Sequence, residues 1–569
     1  MACDASCVPL TCVVGVHVAT VQEGLDAASC ATVWLPAGRY AGPFALPPRD
    51  VTLTGVGPES VLEGDGTSAL FSFLGQQRNL TLTRLELTGG RAAQGGVLSG
   101  SGRLVVEDAI VSENHATVSG GAFHFTFVAD AVFRRVSFVG NRVEAVELTA
   151  NPGGGAIETE GAIEIVDCTF TDNEVVVTGP SLGHGGAVSL LSGSTATITG
   201  SLFEGNLVGA TVEAEGDCTA AGGAVHAKGT DLTVTSTRFV DNTVHVAVAE
   251  GGSGSAEGGA VALDEVTLAA TSVAFEGNRA AVLGDGFSRA SGGAVFSDDS
   301  SIDLSGGSFR TNTVSAPGEA IGGALLPSNT GAVRLEGVTF EGNAVVSDGV
   351  AYGGAMAWTF QAPDSVAELR RCAFVDNEVR SNNSLALAGA LRTSAGGWSL
   401  ENCTFDGNRV GPSGGTPLAT SFVASIGTVD LRNVTLGAGS AIGLGVATTD
   451  VLIQSGAQVR ARNSLFAGST FLVIGAAFVS EGYNVLTIPT TPFDPSLSTD
   501  VLGANASLGA RTSAGSDTPY LPTMPGSPAR DGGDPAGCPG IGDVLLTTDQ
   551  RGAPRSDARC DVGAYEAQP

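Results

Sequence analysis

Histidine and acidic side chains recur at fixed offsets from a repeated Gly-Gly-Ala word, and their spacing would suit acid–base chemistry. His124 and Glu158 each stand two residues after the alanine of such a word, and Glu160 stands four residues after it. Asp264 and Asp298 stand four residues after the alanines of two successive words. If successive words lie one strand spacing apart, paired carboxylates come within roughly 5 Å, a separation that retaining glycosidases use. These five residues are therefore candidates for cleaving a polysaccharide.

The positions two residues after each alanine form one column of side chains, and the positions four residues after it form another. Both columns also carry residues that cannot do this chemistry. They are interrupted by apolar side chains at Leu191, Ala262, Phe296 and Leu326. We expect no arginine or lysine beside Asp264 and Asp298 to hold an acidic sugar. Clean strand alternation predicts that both columns point to solvent, where chance acids are common in a chain with 58 acidic residues. We therefore expect a protein that binds rather than cleaves, with the enzyme as the alternative.

A second group of acids flanks a Phe-x-x-Asn word and suggests a cation site. Oxygen clusters of this kind suit calcium, although no segment matches the nonapeptide calcium repeat. No cofactor is predicted, and calcium is the candidate ion for these acids. The acids are Asp172, Glu204, Asp241, Glu276, Glu341, Asp376 and Asp406.

These residues are positioned by an internal repeat marked by two words. The first word is Gly-Gly-Ala followed by an apolar residue, with copies that begin at Gly120, Gly154, Gly185, Gly222, Gly258, Gly292, Gly322 and Gly353. The phenylalanines of the second word are Phe138, Phe170, Phe203, Phe239, Phe275, Phe309, Phe340, Phe374 and Phe405. Its asparagines are Asn141, Asn173, Asn206, Asn242, Asn278, Asn312, Asn343, Asn377 and Asn408.

The spacing of the words predicts an all-β solenoid. Successive phenylalanines are 31 to 36 residues apart, and the intervening segments alternate small or polar residues with Val, Ile and Thr. Such a unit buries a face only by stacking on its copies, which gives a single-stranded parallel β-helix. Phenylalanine would stack inside, asparagine would form a ladder at a turn, and glycine would turn the chain where a Cβ would clash.

The middle of the chain, about residues 95–408, resembles the polymorphic outer-membrane protein repeats of bacterial surface proteins on these two words. The resemblance implies a right-handed, pectin-lyase-like β-helix, and several members of that family act as adhesins. Thr20–Ala28, Ala31–Tyr40 and Val51–Gly57 are similar to the opening of pectate-lyase-like β-helices, in which a short helix caps the coil. We expect the N-terminal cap and first rung over residues 1–50 and the β-helix over 51–480.

The remaining residues, 481–569, resemble the choice-of-anchor Q type of C-terminal segment. The words that carry this resemblance are Gly482–Asn484, Asp494–Pro495, Ser527–Asp531, Thr548–Gly552, Pro554–Arg555 and Cys560–Glu566. This resemblance predicts the fold and export of the protein more than its activity.

The ten cysteines indicate an oxidising compartment. Cys538 and Cys560 bracket the C-terminal words and are expected to be bonded. Four more crowd the N-terminal cap and are expected to pair among themselves, with zinc as the alternative; they are Cys3, Cys7, Cys12 and Cys30. Cys168, Cys372 and Cys403 precede marker phenylalanines by two residues and are expected inside. Whether Cys372 and Cys403 are bonded stays open.

Charge and hydropathy limit the partners. The formal net charge of −30 disfavours nucleic acid and anionic surfaces, and leaves proteins and neutral glycans. No stretch approaches the 18 apolar residues of a spanning helix. The first residues lack the features of a signal peptide, which suggests a processed form. The expected function is a secreted or cell-surface adhesin or structural component; a polysaccharide hydrolase or lyase and a self-assembling filament subunit are the alternatives.

Overall fold

The structure is a computed structural model that describes residues 10–75, 78–126, 130–146, 151–212, 216–284, 287–329, 331–358, 365–394, 396–411, 419–441, 449–488, 497–555 and 559–568. The chain divides into two compact units. Met1–Thr267 with Gly284–Gly286 form the first, and Leu268–Leu283 with Phe287–Pro569 form the second. Each unit is built from parallel strand ladders that stack coil upon coil, which confirms the predicted parallel β-helix.

Each coil of the chain, here called a rung, is divided by the two sequence words. Strands that lead to the marker phenylalanine form the long face, and the strand after the marker asparagine belongs to the Asn face. In several rungs a short pre-glycine strand follows. The post-glycine strand begins after the Gly-Gly pair and its alanine. Equivalent strands of neighbouring rungs pair in register, as Phe170 does with Phe138 and Phe203.

In the first unit, one short helix, Val21–Asp26, precedes most of the strands. The long face contains Leu10–Val13, Cys30–Trp34, Gly38–Ala41, Val51–Thr54, Ser60–Glu63, Asn79–Thr83, Glu86–Thr88, Arg103–Glu107, Ile110–Ser112, Asp130–Arg134, Ser137–Val139, Ala162–Val166, Thr169–Thr171, Thr195–Thr199, Leu202–Glu204, Asp231–Thr235 and Arg238–Val240. The Asn face contains Arg91–Gln94, His115–Ser119, Arg142–Val146, Glu174–Thr178, Leu207–Val212 and Thr243–Val248. The pre-glycine strands are Leu182–His184, Asp217–Ala221 and Ser253–Glu257. The post-glycine strands are Leu98–Gly100, Phe123–Phe125, Ile157–Thr159, Val188–Leu190, Val225–Lys228 and Val261–Asp264.

The second unit repeats the plan, and two strands whose end residues belong to the first unit are placed with it. The long face contains Thr267–Glu276, Ser301–Arg310, Ala332–Glu341, Val366–Arg370, Ala373–Val375, Gly397–Glu401, Thr404–Asp406, Thr428–Arg432, Thr435–Leu436, Gln458–Arg462, Leu465–Phe466, Ala477–Ser480, Val485–Leu486 and Val501–Leu502. The Asn face contains Arg279–Gly284, Thr313–Ala316, Ala344–Ser347, Glu378–Ser381, Arg409–Val410 and Ser440–Ala441. The pre-glycine strands are Phe287–Ser291, Glu319–Ile321, Val350–Tyr352 and Ala386–Leu387. The post-glycine strands are Val295–Asp298, Leu325–Ser328, Met356–Ala357, Leu391–Thr393, Phe422–Ala424, Val451–Gln454 and Phe471–Ile474, and a 3-10 turn covers Ile541–Asp543.

The N-terminal helix is fixed at its start by a reciprocal cap. The Thr20 hydroxyl accepts a hydrogen bond from the Glu23 N–H at 3.1 Å, and the Glu23 carboxylate accepts one from the Ala19 N–H at 2.8 Å. This arrangement satisfies donors that a helix start leaves unpaired. The helix buries Val21 and Leu25 against the first rungs.

The marker phenylalanines fill the inside of both units. In the first unit Phe138, Phe170, Phe203 and Phe239 stack with ring centroids 4.5 to 4.9 Å apart. In the second unit the corresponding distances are 4.6 to 4.8 Å, along Phe275, Phe309, Phe340, Phe374 and Phe405. Every one of these rings is 5% exposed or less. Stacking and burial together make these columns a main source of packing energy.

The marker asparagines form a buried ladder of amides. Asn141 shows the pattern: its backbone N–H and its Nδ2 both donate to Oδ1 of Asn173, at 3.1 and 2.9 Å. Its Nδ2 also donates to the carbonyl of Val111 at 2.9 Å. In the first unit this ladder runs from Asn114 to Asn242, and in the second from Asn278 to Asn408. Each rung is thereby bonded to the next through side chains as well as backbone.

The two glycines before each alanine have separate reasons to be glycine. The first has a left-handed backbone, with φ of 56° at Gly120 and 62° at Gly185. The second lies against the rung above, because a Cβ on Gly155 would sit 2.0 Å from the carbonyl oxygen of Gly186. The chain therefore turns sharply at this point, which we call the Gly-Gly corner.

In the second unit, the C-terminal segment from residue 497 onward lies against the turns of several rungs. The Arg371 guanidinium donates to the Gln550 carbonyl at 3.1 Å, and Asn402 donates to the Thr548 carbonyl at 3.1 Å. Arg555 and Glu566 form an ion pair at 2.8 Å whose side chains are each 1% exposed. Long-range contacts from these words therefore hold the segment in place.

Cysteine pairing is visible at both described ends of the chain. Cys12 is bonded to Cys30 in the first unit, and Cys538 to Cys560 in the second. Cys3 and Cys7 lie outside the described residues. Cys168, Cys372 and Cys403 are buried thiols. Within the described part of the chain, no helix is long and apolar enough to cross a membrane.

Breaking the C-terminal disulfide should loosen the docked segment. The bond closes a separation of 22 residues, for which loop entropy gives a stabilisation of about 3 kcal/mol. We expect the Cys538→Ser/Cys560→Ser double variant to melt earlier, while Cys168→Ser keeps the wild-type disulfide count. Alkylation without reductant, followed by mass spectrometry, should leave Cys538 and Cys560 unmodified; their full alkylation would contradict the pairing.

Candidate functional site

A polar column follows the Gly-Gly corner of the first unit. The second residue of each post-glycine strand pairs with its equivalent on the next rung, so the side chains lie one above another. The members of the column are Ser99, His124, Glu158, Ser189 and His226. The predicted neighbours His124 and Glu158 are therefore adjacent, as their spacing requires.

The expectation that this column points to solvent is wrong. His124 is 8% exposed, Glu158 is 5% exposed and Ser189 is fully buried. The cause is the corner, because a residue that precedes a Gly-Gly pair can pack over the column. His184 shows this: its Nδ1 lies 3.0 Å from the Ser189 hydroxyl, and its ring stacks on His226 at 4.6 Å.

The corner is too narrow for a side chain at one further position. A Cβ on Gly153 would lie 2.1 Å from His184 Nδ1 and 2.8 Å from Glu158 Oε2. Gly153 therefore brings the backbone of one rung directly against the histidine and the carboxyl of its neighbours.

Hydrogen bonding in the column is incomplete. Ser99 Oγ lies 3.2 Å from His124 Nδ1, and His124 Nε2 lies 3.7 Å from Glu158 Oε1. Among the described residues, no partner in hydrogen-bonding geometry reaches Glu158 Oε2, the Ser119 hydroxyl or His226 Nδ1. Buried polar atoms without partners are rare and often mark a functional position.

Burial shifts the protonation of the column toward neutral forms. It raises the pKa of Glu158 to about 8; the nearby Ser119 hydroxyl opposes this shift and the charge on Glu160 adds to it. Burial likewise lowers the pKa of His226 to about 4 and that of His184 well below its ordinary value. It also lowers the pKa of His124. Near neutral pH the cluster is therefore mainly uncharged.

These shifts predict a stability maximum near pH 6.5 for the corner. Glu158 binds its proton more tightly when folded, so stability is present at low pH and is lost as pH rises through about 8. His184 and His226 resist protonation when folded, so their stability is lost as pH falls below about 6.5. Hydrogen exchange of strand Ile157–Thr159 should therefore accelerate on both sides of this pH.

The Glu158→Gln variant separates the loss of stability above pH 6.5 from the loss below it. We expect the variant to lose the decline above pH 6.5, which amounts to about 1 kcal/mol per pH unit, and to keep the decline on the acid side. Exchange rates must be corrected for the intrinsic effect of pH. A profile for Glu158→Gln that parallels the wild type would contradict the assignment.

The other predicted acids are already engaged. Glu160 is half-buried and acts on Glu158 through its charge. Asp264 forms an ion pair with Lys228, which lies on the neighbouring rung, so the expectation that no cation accompanies it is wrong. Asp298 accepts a hydrogen bond from Asn329 at 3.0 Å. Asp264 belongs to the first unit and Asp298 to the second, and their pairing stays a prediction.

The turn acids show one contact that bears on the calcium hypothesis. In the second unit the Arg511 guanidinium donates to Asp406 at 2.9 Å and also bonds Asp376. An arginine of the C-terminal segment thus lies where two of the predicted ligands converge. Among the described residues, no three His, Cys, Asp or Glu side chains are placed to hold a metal ion.

The same corner is mostly apolar in the second unit. Ile321, Leu326 and Ala357 are buried there, with Phe296 and Tyr352 packed on them. At these rungs of the second unit apolar side chains therefore replace the polar column, and Arg392 follows on the next rung with its guanidinium over the Tyr352 ring.

Sequence reasoning missed three polar residues of the corner. Ser99 follows Gly95-Gly96-Val97, which has valine in place of the alanine of the word. Ser119 and His184 precede the Gly-Gly pairs and lie outside the two columns searched. A search that allowed valine as well as alanine after the two glycines, and that included the residue directly before them, would have found all three.

Comparisons with known proteins give a distant structural likeness that carries no argument. No protein-family model matches the chain, and no curated protein matches it. A solved structure with some likeness is a variant catalytic domain of a GH87 alpha-1,3-glucanase in complex with tetrasaccharides. It is 11% identical, covers 73% of this chain and 67% of its own, and has a TM-score of 0.31. The stacked parallel strand ladders make this chain a parallel β-helix protein, and so distant a likeness adds no argument about fold or activity.

Proposed function

We propose that the protein is a secreted or cell-surface β-helix that binds a protein or a neutral glycan, as an adhesin or a structural surface component. One observation carries the preference for binding over glycoside cleavage: the predicted catalytic acids are either buried or already bonded. Glu158 is buried with a raised pKa, Asp264 is paired with Lys228, and Asp298 is bonded by Asn329. Glycoside hydrolysis requires two carboxyl groups that flank an accessible bond.

The disulfides and the resemblance agree with this proposal. Bonds at Cys12–Cys30 and Cys538–Cys560 are typical of proteins that work in oxidising surroundings. The two repeat words resemble those of bacterial surface proteins, several of which are adhesins. The amide ladder and ring stack supply a rigid scaffold, on which recognition falls to the segments between each asparagine and the next Gly-Gly corner.

Two exposed apolar residues in these segments are suited to contact a partner. Val146 ends an Asn-face strand of the first unit and is 69% exposed, and Phe287 begins a pre-glycine strand of the second and is 77% exposed. Large apolar side chains exposed to this degree supply contact area in interfaces. They are the first residues to test.

The test combines binding with turnover. The protein is applied to arrays of neutral glycans and extracellular proteins, and separately incubated with polysaccharides, with and without calcium, while new reducing ends and unsaturated products are measured. We expect saturable binding without turnover. Val146→Ser or Phe287→Ser should weaken binding with unchanged melting, and Val366→Ser, 46% exposed at the start of a long-face strand, serves as the control. Turnover that disappears in Asp264→Asn or Asp298→Asn would instead establish the enzyme.

A further inference from the structure

The first three residues of the polar column are a serine, a histidine and a glutamate. They lie on three successive post-glycine strands, Leu98–Gly100, Phe123–Phe125 and Ile157–Thr159. The serine oxygen is 3.2 Å from one imidazole nitrogen, and the carboxyl oxygen is 3.7 Å from the other. Nucleophile, base and carboxyl therefore follow one another in the order that serine hydrolases use on several unrelated folds, with the His124–Glu158 distance longer than a hydrogen bond.

The exposed fraction decreases from the serine through the histidine to the glutamate. Ser99 is half-exposed, His124 is 8% exposed and Glu158 is 5% exposed. A reacting molecule could therefore reach the serine while the histidine and the carboxyl stay shielded from water. The second Ser–His contact of the corner, between Ser189 and His184, lacks this property because Ser189 is fully buried.

We propose that Ser99, His124 and Glu158 form a nucleophilic site that hydrolyses small carboxylic esters. Ser99 Oγ attacks the ester carbonyl carbon, and its proton passes to His124 Nδ1. His124 then gives this proton to the leaving alkoxide oxygen as the ester C–O bond breaks. A water molecule attacks the acyl-serine in the second half, with His124 taking its proton and returning it to Ser99, so the products are one acid and one alcohol.

The repeat makes Gln94 the candidate donor for the developing oxyanion. Gln94 pairs with Ser119 on the Asn face, and both residues directly precede a Gly-Gly pair. His184 in the same position contacts the column residue of its own rung, Ser189, and that of the next rung, His226. Because Gln94 and His184 occupy equivalent positions, we expect the exposed Gln94 amide to lie beside Ser99 and His124. A side-chain amide is an established type of oxyanion donor.

The charge of Glu158 sets the expected pH dependence. Among the residues that the structure describes, the groups that face its carboxyl are His124, His184, the Ser119 hydroxyl and the half-buried Glu160. Only the ionised carboxyl stabilises the imidazolium that forms when His124 accepts a proton. Because burial raises the pKa of Glu158 to about 8, reactivity of Ser99 should increase up to and beyond that pH.

A fluorophosphonate probe tests the nucleophile directly. Ser99 Oγ forms a bond to phosphorus, fluoride leaves, and the adduct is located by peptide mass spectrometry. We expect labelling of Ser99 in the full chain, abolished in Ser99→Ala and reduced at least about 100-fold in His124→Gln. Hydrolysis of p-nitrophenyl acetate should decrease in parallel. Absence of label on Ser99 in the wild type would overturn the proposal.

Two further variants make the result specific. His115 lies 3.6 Å from Glu144 and so repeats a His–Glu pair, but no serine of the described residues is hydrogen-bonded to its ring. His115→Gln should therefore label like the wild type. Glu158→Gln should remove the increase in labelling between pH 7 and 9. Equal labelling of wild type and His124→Gln, or an unchanged pH profile in Glu158→Gln, would also overturn the assignment. Circular dichroism verifies that each variant keeps its strand content.

Discussion

Replacing Asn343 by leucine is expected to destabilise the second unit by roughly 3 to 6 kcal/mol. Asn343 Oδ1 accepts hydrogen bonds from the backbone N–H and the Nδ2 of Asn312, at 3.0 and 2.9 Å. Its own Nδ2 donates to the Phe309 carbonyl and to Asn377, each at 2.9 Å. Leucine has a similar size but leaves these buried partners unsatisfied, and each orphaned group costs about 1 to 3 kcal/mol.

The measurement is hydrogen exchange together with thermal melting. Exchange should accelerate in strands Ser301–Arg310 and Ala332–Glu341, which flank the broken rung of the ladder. Asn383→Leu is the matched control, since Asn383 is exposed and lies outside the ladder, and it should change stability by less than about 0.5 kcal/mol. Indistinguishable exchange in Asn343→Leu and wild type would show that the ladder contributes little.

Truncating Phe170 is the second large expected effect. Its ring is fully buried between Phe138 and Phe203, with both centroid distances at 4.5 Å. Phe170→Ala removes two ring contacts and opens a cavity, which costs about 3 to 5 kcal/mol in comparable cores. A solenoid can respond by loosening adjacent rungs before it unfolds completely.

Two substitutions at this site grade the effect. Phe170→Leu keeps most of the volume and should cost markedly less than Phe170→Ala. Denaturant unfolding followed by hydrogen exchange should place the weakened region at strands Ser137–Val139, Thr169–Thr171 and Leu202–Glu204. If alanine and leucine behave alike, the ring stack is not the source of stability.

Much of the fold can be predicted from the two short repeat words because each marker residue has the same structural role in every rung. A phenylalanine and an asparagine three residues apart suffice to predict a solenoid whose equivalent residues stack. The ladder nevertheless extends to Asn114, which follows Val111 instead of phenylalanine and whose Nδ2 donates to Asn141 Oδ1 at 3.0 Å. The amide geometry needs the asparagine alone, so a search for the full word stops one rung too early.

The burial of the candidate site could not be obtained from strand alternation. Alternation correctly places Glu158 opposite to the core-facing Ile157. It does not contain the sharp corner at Gly154, whose φ is 65°. This corner brings Gly153 of the same rung and His184 of the next rung close to the Glu158 carboxyl. Contacts between residues on either side of a corner depend on backbone direction, which hydrophobic periodicity does not encode.

Contacts of the C-terminal segment were beyond sequence reasoning for another reason. Arg555 donates to Asn402 at 2.8 Å although more than 150 residues separate them, and Gln550 bonds the Thr404 hydroxyl. The words around them show that the residues belong together, but pairing over such a separation is set by the tertiary structure.

The amide ladder also limits how the gene can change in length. Asn312 and Asn343 are equivalent positions 31 residues apart, joined by direct hydrogen bonds. Unequal recombination between the codons of two such asparagines would delete or duplicate one complete coil and leave every amide with a partner. An insertion of a few residues inside a strand would misalign all the columns at once. Homologous genes should therefore differ in length by multiples of one coil, with smaller differences confined to the segments between the asparagine and the glycine corner.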